Sequence, residues 1–136
     1  MRMPKRSNCP IANALDFVGD KWSLLILRDL IFFKKQSYSD LKNSDEAMAT
    51  NILSSRLEKL ESDGLIIKTI DEKDKRKKVY SLTSVGIDML PILLEMLVWS
   101  SKHSTDTDIP EGIIERIEQD RKKLIEEIES SLVDKK

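Results

Sequence analysis

Apolar and polar residues along this chain recur with a helical period over its first half, switch to strand-like alternation, and then return to the helical period. Pro10 suits the first position of a helix, where its missing N–H costs no bond. The spacing predicts a helix over Ile11 to Val18, ended by Gly19, with Ile11, Leu15 and Val18 on one face. Asp20 is a good N-cap for a second helix from Lys21 to about Phe33. There Trp22, Leu25, Ile26, Leu30 and Phe33 keep helical spacing. Leu24, Leu27 and Ile31 make this helix apolar on most sides, the pattern of a helix central to its core. After the polar link Lys34-Lys35-Gln36, Ser37 or Ser39 caps a short third helix carrying Tyr38 and Leu41. Residues 43–48 read as a turn. A fourth helix runs from Ala49 or Thr50 to Asp63 on a stripe of Leu53, Leu57 and Leu60, and Gly64 closes it.

Beyond Gly64, Leu65 to Ile70 is rich in β-branched residues and Lys77 to Thr83 alternates, so both read as strands. The charged tip Asp71-Glu72-Lys73-Asp74-Lys75-Arg76 joins them into a hairpin. Helix resumes from Ser84 to about Lys102, with Ile87, Leu90, Leu94, Leu97 and Val98 inward and a bend at Pro91. His103 to Pro110 is a polar linker. A last helix, Glu111 to Val133, repeats Ile113, Ile117, Leu124, Ile128 and Leu132, with Ile114 and Ile125 beside them. The expected fold is mostly α with a small β-hairpin (α+β). It is a winged helix-turn-helix over residues 1–102, followed over 103–136 by a linker and a C-terminal dimerisation helix. The apolar stripe of that last helix is too long for a small winged domain to cover, and its spacing suits a helix–helix seam. The alternative is that it folds back on its own chain.

The order of elements points to duplex DNA. In a winged helix-turn-helix the third helix buttresses, the fourth enters the major groove, and the hairpin reaches the flanking backbone. With Leu53 and Leu60 facing inward, about 100° per residue turns Asn51, Ser55, Glu58 and Ser62 outward, with Thr50 and Ser54 on one flank and Lys59 on the other. Small polar side chains let the backbone approach the base edges, Asn pairs with adenine at two atoms, and Thr meets a thymine methyl. Arg56, at the edge of the apolar stripe, can reach a phosphate or a guanine, or form a structural ion pair. The candidate DNA-binding set is therefore Ser39, Thr50, Asn51, Ser54, Ser55, Arg56, Lys59 and, on the wing, Lys75, Arg76 and Lys77. The wing also carries Lys73 and Lys78, against Asp71, Glu72 and Asp74.

The net charge of −1 and a pI near 5.9 argue against nucleic acid at first sight. The average conceals an asymmetry. Residues 103–136 carry six Lys/Arg and ten Asp/Glu, leaving residues 1–102 at +3. A site feels local charge, so the basic body remains compatible with DNA. The most apolar run, Leu90 to Trp99, is too short for a membrane span. With no apolar signal core after the basic N-terminus, a cytoplasmic location is expected. One His leaves no His-paired nucleophile or His-rich metal site, and no phosphate-binding glycine loop occurs, so neither an enzyme nor a cofactor is expected.

The motifs resemble those of the HxlR family of bacterial regulators, related in architecture to the MarR regulators. The likeness spans Cys9 to Trp99. It rests on Cys9-Pro10, the Gly19 to Leu30 stretch, Tyr38-Ser39-Asp40-Leu41, Ala49 to Leu57, Leu60 to Ile66, Tyr80 to Gly86 and Leu90-Pro91. Each is weak alone; their order and spacing are specific. The chain departs in having Ala49-Thr50 where many relatives have Ser-Pro. The resemblance implies a homodimer built by the N- and C-terminal helices, with two reading heads. Such a dimer would place its recognition helices about 34 Å apart on an inverted-repeat operator. It also implies a sensing role for the single cysteine, Cys9, since some members use it against oxidants or electrophiles. Cys9 precedes the first helix near Arg2, Lys5 and Arg6, and positive charge with a helix N-terminus favours thiolate. A half-buried packing residue is the other reading. An apolar effector between body and dimer helices, against Phe17, Trp22, Met96 or Trp99, is a further expectation; plain core packing is the alternative. An adaptor that uses the winged fold without DNA is the remaining rival.

Overall fold

The computed structural model describes residues 5–133. The helices are α1 (Pro10–Val18), α2 (Ser23–Ile31), α3 (Tyr38–Lys42), α4 (Thr50–Ser62), α5 (Ser84–Ile87), α6 (Leu90–His103) and α7 (Ile113–Val133), with strands β1 (Ile66–Ile70) and β2 (Lys78–Leu82) after α4. They fall into two compact units, one ending at Ile87 and one beginning at Asp88. The expected domain boundary at 102/103 lies inside the second unit, one residue before the end of α6.

In the first unit, α2 supplies the centre of the core: Ile26, Leu27, Leu30 and Ile31 are buried, as its all-round apolar pattern predicts. It starts later than predicted because residues 21–22 form a turn. Asp20 nevertheless serves its end, accepting bonds from the amides of Trp22 and Ser23, both at 3.0 Å, and from the Ser23 hydroxyl at 2.6 Å. Phe33, expected in the core, lies beyond α2 and is 61% exposed. Ser37 rather than Ser39 caps α3, its hydroxyl accepting from the Asp40 amide at 3.1 Å. α4 buries Leu53, Leu57 and Leu60. At its end Gly64 takes φ +83°, where a side chain would be strained, and the Gly64 and Leu65 amides donate to the Glu61 and Leu60 carbonyls.

β1 and β2 pair antiparallel in the register Ile66 with Leu82 through Ile70 with Lys78. The Tyr80 amide also donates to the Gln36 carbonyl at 2.7 Å, and Ser37 bridges to Val79, so the link before α3 lies along the hairpin. Thr83 ties the hairpin exit to the end of α4, its hydroxyl donating to the Gly64 carbonyl at 2.6 Å. A short α3, a turn, a longer α4 and a charged antiparallel hairpin make this unit a winged helix-turn-helix.

The single helix predicted over Ser84–Lys102 is two. α5 stops at Ile87, four residues before Pro91, whose ring would collide with that carbonyl and which has no N–H to give it. Pro91 sits instead in the first turn of α6. By length and composition alone Ser84–His103, with mean hydropathy 1.3, resembles a membrane span. The helix is broken at Asp88–Met89, and Leu90, Leu93, Leu94 and Val98 are buried. His103 ends α6 rather than beginning the linker, and its ring lies 4.9 Å from that of Trp99. α7 packs on α6 of the same chain, burying Ile117 and Leu124, with Arg121 bonded to Glu95 at 2.6 Å. It is not the continuous helix expected, since Asp120 leaves helical geometry (φ −150°, ψ 54°).

Candidate nucleic-acid interface

The first turns of α4 present Thr50, Asn51 and Ser55 to solvent, as the helical period predicts, with Ser54 half-buried. Their placement depends on ties along both flanks of the helix. On one flank the Tyr38 hydroxyl of α3 donates to the Thr50 carbonyl at 3.3 Å and lies 3.0 Å from Ser54 Oγ. On the other, Arg56 Nε donates to Asp20 Oδ2 at 2.8 Å, fastening α4 to the start of α2. Burial pushes the Asp20 carboxyl up. Bonds from the Ser23 hydroxyl, the two amides and Arg56 outweigh this and hold it below its ordinary value.

Lys59 is a third tie. Its ammonium donates to the Asp16 and Phe17 carbonyls at 2.8 and 3.1 Å, at the C-terminal end of α1, and meets Asp63 at 2.9 Å. A cation belongs there, against the carbonyl end of a helix. Arg56 and Lys59, both expected to face DNA, are thus engaged inside the protein. The ion-pair alternative for Arg56 is the arrangement found.

The wing differs. Lys73, Lys75, Arg76, Lys77 and Lys78 are all exposed. Arg76 stands 3.6 Å from Asp74 with its side chain almost wholly in solvent. An open cleft of about 390 Å³ separates the wing from the helix pair. Ser37, Tyr38, Ser39 and Ser54 line one wall, and Arg76, Lys77 and Lys78 line the other. The structure therefore brings Ser39, Ser54, Arg76 and Lys77 around one cleft and puts Thr50, Asn51 and Ser55 on the adjoining face. Lys75 lies nearer the tip. Hydroxyls opposite three cations suit a phosphate oxygen, which accepts from both.

Sequence reasoning overlooked the bracing role of Tyr38. A lone tyrosine on a helix with one other apolar residue was the available signal, because a phenol gives both packing and a hydrogen bond. Cys9 is exposed at the N-cap of α1. Of the basic residues expected around it, Arg6 is paired with Asp16 at 2.7 Å, and Arg2 lies outside the described residues. Phe17 and Trp22 are half-buried, whereas Met96 and Trp99 are exposed. No group of His, Cys, Asp and Glu among the described residues could hold a metal ion.

The proteins this chain is similar to include transcription regulators. Over 100 residues the chain is 31% identical to the uncharacterized HTH-type transcriptional regulator YdeP of Bacillus subtilis, covering 74% of this chain and 77% of YdeP. Among solved structures, PA1607 matches with a TM-score of 0.69 and 31% identity, over 79% of this chain and 73% of that one. The redox regulator HypR in its oxidized form matches with a TM-score of 0.59 and 27% identity, over 74% of this chain and 100% of HypR. The family model described as HxlR-like helix-turn-helix matches residues 17–108, from within α1 to beyond α6. The chain therefore belongs to the HxlR-like helix-turn-helix family and is a transcription regulator, not an enzyme.

Proposed function

We propose that this regulator binds duplex DNA sequence-specifically as a homodimer, reading bases with the start of α4 and holding the backbone with its wing. The observation that carries this is the pairing of an exposed, neutral, small polar face at Thr50, Asn51 and Ser55 with a hydroxyl-and-cation cleft beside it. Neutral residues of that size suit base edges, and the cleft suits phosphates. Arg56 and Lys59 support the reading face from behind. A gel-shift titration with the DNA upstream of the chain's own gene tests this. Binding that weakens steeply between about 50 and 200 mM salt, as released counterions require, is expected. A protein that shifts no DNA at either salt would instead be an adaptor.

The homodimer is supported by apolar residues left uncovered in a single chain. On α6, Ile92, Met96 and Trp99 are 41%, 49% and 62% exposed at spacings of four and three residues, one stripe of the helix. On α1, Ile11 and Leu15 are similarly exposed. Since α7 already packs on α6, the α6 stripe replaces the last helix as the strongest dimer candidate. Sedimentation of Trp99→Glu should shift the protein toward monomer; an unchanged dimer would remove this stripe from the interface.

Redox response through Cys9 is a second element of the reading. An exposed thiol at a helix start, in a chain similar to a redox regulator, favours it. With one cysteine per chain, oxidation would yield a disulfide between protomers or a mixed disulfide with a small thiol. Cys9→Ser should abolish any diamide-dependent change in DNA affinity, and a response that persists would exclude Cys9 as the sensor.

A further inference from the structure

The turn between α3 and α4 is held by a charged cluster that none of the reading-face residues belongs to. Asp29, on α2, is 2% exposed. Arg28 donates to its Oδ1 from Nε at 2.9 Å and from Nη2 at 2.7 Å. The same guanidinium reaches Glu46 in the turn, Nη1 to Oε2 and Nη2 to Oε1, both at 2.8 Å. The other Asp29 oxygen is hydrogen-bonded to the hydroxyl of Ser44, also in the turn and also buried. Lys35 completes the cluster, with its ammonium 3.2 Å from Ser44 Oγ and 3.7 Å from Asp29 Oδ2. The exposed Phe33 ring lies against both cations, 5.4 Å from Arg28 and 5.8 Å from Lys35.

Two further observations give this cluster a role. The N-cap of α4 is Ala49, which has no side chain able to cap it, so the first amides of the helix receive no side-chain cap. The turn just before it passes through Ala47 at φ +52°, a left-handed conformation that a non-glycine residue holds only when its surroundings impose it. The entry to α4 is therefore set from outside the helix: Arg28, Asp29, Ser44 and Glu46 hold the turn, beside Lys42, whose ammonium donates to the Met48 carbonyl at 2.8 Å, and Tyr38 on the Thr50 carbonyl. We infer that Arg28, Asp29 and Glu46 are positioning residues for sequence reading: they lock the 43–48 turn so that Thr50 and Asn51 meet the base edges in register. This rests on the DNA-binding proposal above. It assigns sequence discrimination in part to three side chains outside the reading face.

Glu46→Gln and Arg28→Lys are the variants of choice, because Asp29 is buried and its replacement risks unfolding. Lys keeps the charge but cannot fork between two carboxylates. Four quantities are compared with the parent: Kd for the footprinted operator, Kd for a scrambled duplex of equal length, amide hydrogen exchange, and far-UV helical content. In both variants the scrambled-to-operator Kd ratio should fall about tenfold or more. Scrambled-duplex affinity and far-UV helical content should hold, and exchange should quicken across residues 43–55 but not across 90–103. Unchanged ratio and exchange would overturn the inference. So would a ratio that holds while both affinities fall with helical content, since that is loss of fold. If the parent itself does not discriminate, the DNA-reading proposal fails instead, and exchange at 43–55 still decides whether the cluster holds the turn.

Discussion

Two regions of the first unit carry positive charge and use it in opposite ways. On α4, Arg56 and Lys59 turn to Asp20 and to the carbonyl end of α1. On the wing, Lys75, Lys77 and Lys78 extend into solvent, and Arg76 has only a distant Asp74. The difference follows from what stands nearby. A helix packed among other helices is surrounded by their termini and caps, which offer carbonyls and carboxylates to any cation on its flank. A two-stranded hairpin tip has little behind it, so its cations stay hydrated. On the proposed function, the helix would read with neutral groups and the wing would bind with charge.

That division can be broken in order of expected effect. Replacing Arg76, Lys77 and Lys78 by Ala should weaken binding to any duplex by about two orders of magnitude and flatten the salt dependence by about 0.9 for each cation that met a phosphate. Fluorescence anisotropy over a salt series measures both. An unaltered slope would mean that the wing does not touch the backbone. The Thr50→Ala, Asn51→Ala double variant should lose about 1–3 kcal/mol on the operator, the scale of one good base contact, and nothing on scrambled DNA.

Arg56→Ala and Lys59→Ala should each lower unfolding stability by about 1–2 kcal/mol, the scale of a charge-assisted bond in a half-exposed setting, with the salt slope unchanged. Urea denaturation and the same salt series decide this. A slope that drops while stability holds would return these two residues to the DNA contact set. The smallest effect concerns Glu46. Its hydrogen bonds from Arg28 hold the carboxyl down at about 2, against an ordinary 4.5; burial opposes this, and the charges of Arg28 and Lys35 add to it. A lowered folded-state value stabilises fully above the ordinary one and is lost as pH falls through the folded one. Between about pH 4.5 and 2, wild-type stability should therefore decline more steeply than that of Glu46→Gln, as followed by circular dichroism.

Most of the fold was legible because its signals are local. The α2 pattern, the Gly64 stop and the change of period into the hairpin each concern neighbours in sequence. The break before Pro91 was misplaced because its cause acts four residues upstream, on the Ile87 carbonyl. The bend at Asp120 and the exposure of Phe33 were not legible at all. The helical pattern runs through Asp120 unbroken, and Phe33 packs with cations that the sequence does not place beside it. For the site, the outward face of α4 followed from geometry alone. The fates of Arg56 and Lys59 did not, because Asp20 and the α1 carbonyls that take them lie 36 or more residues away in sequence. The Arg28-Asp29 pair did leave a trace: two adjacent charges in an otherwise apolar helix need partners when buried.

On the proposed function, α4 discriminates between sequences while the wing supplies affinity. The most direct test is the ratio of Kd for a scrambled duplex to Kd for the operator, measured for the parent, the Thr50/Asn51 variant and the wing variant. The ratio should fall about ten- to a hundredfold in the Thr50/Asn51 variant, from the loss of about 1–3 kcal/mol on the operator alone. In the wing variant it should stay near the parent value while both Kd values rise together. The reverse pattern, with the wing variant losing the ratio and the Thr50/Asn51 variant keeping it, would overturn this division between helix and wing.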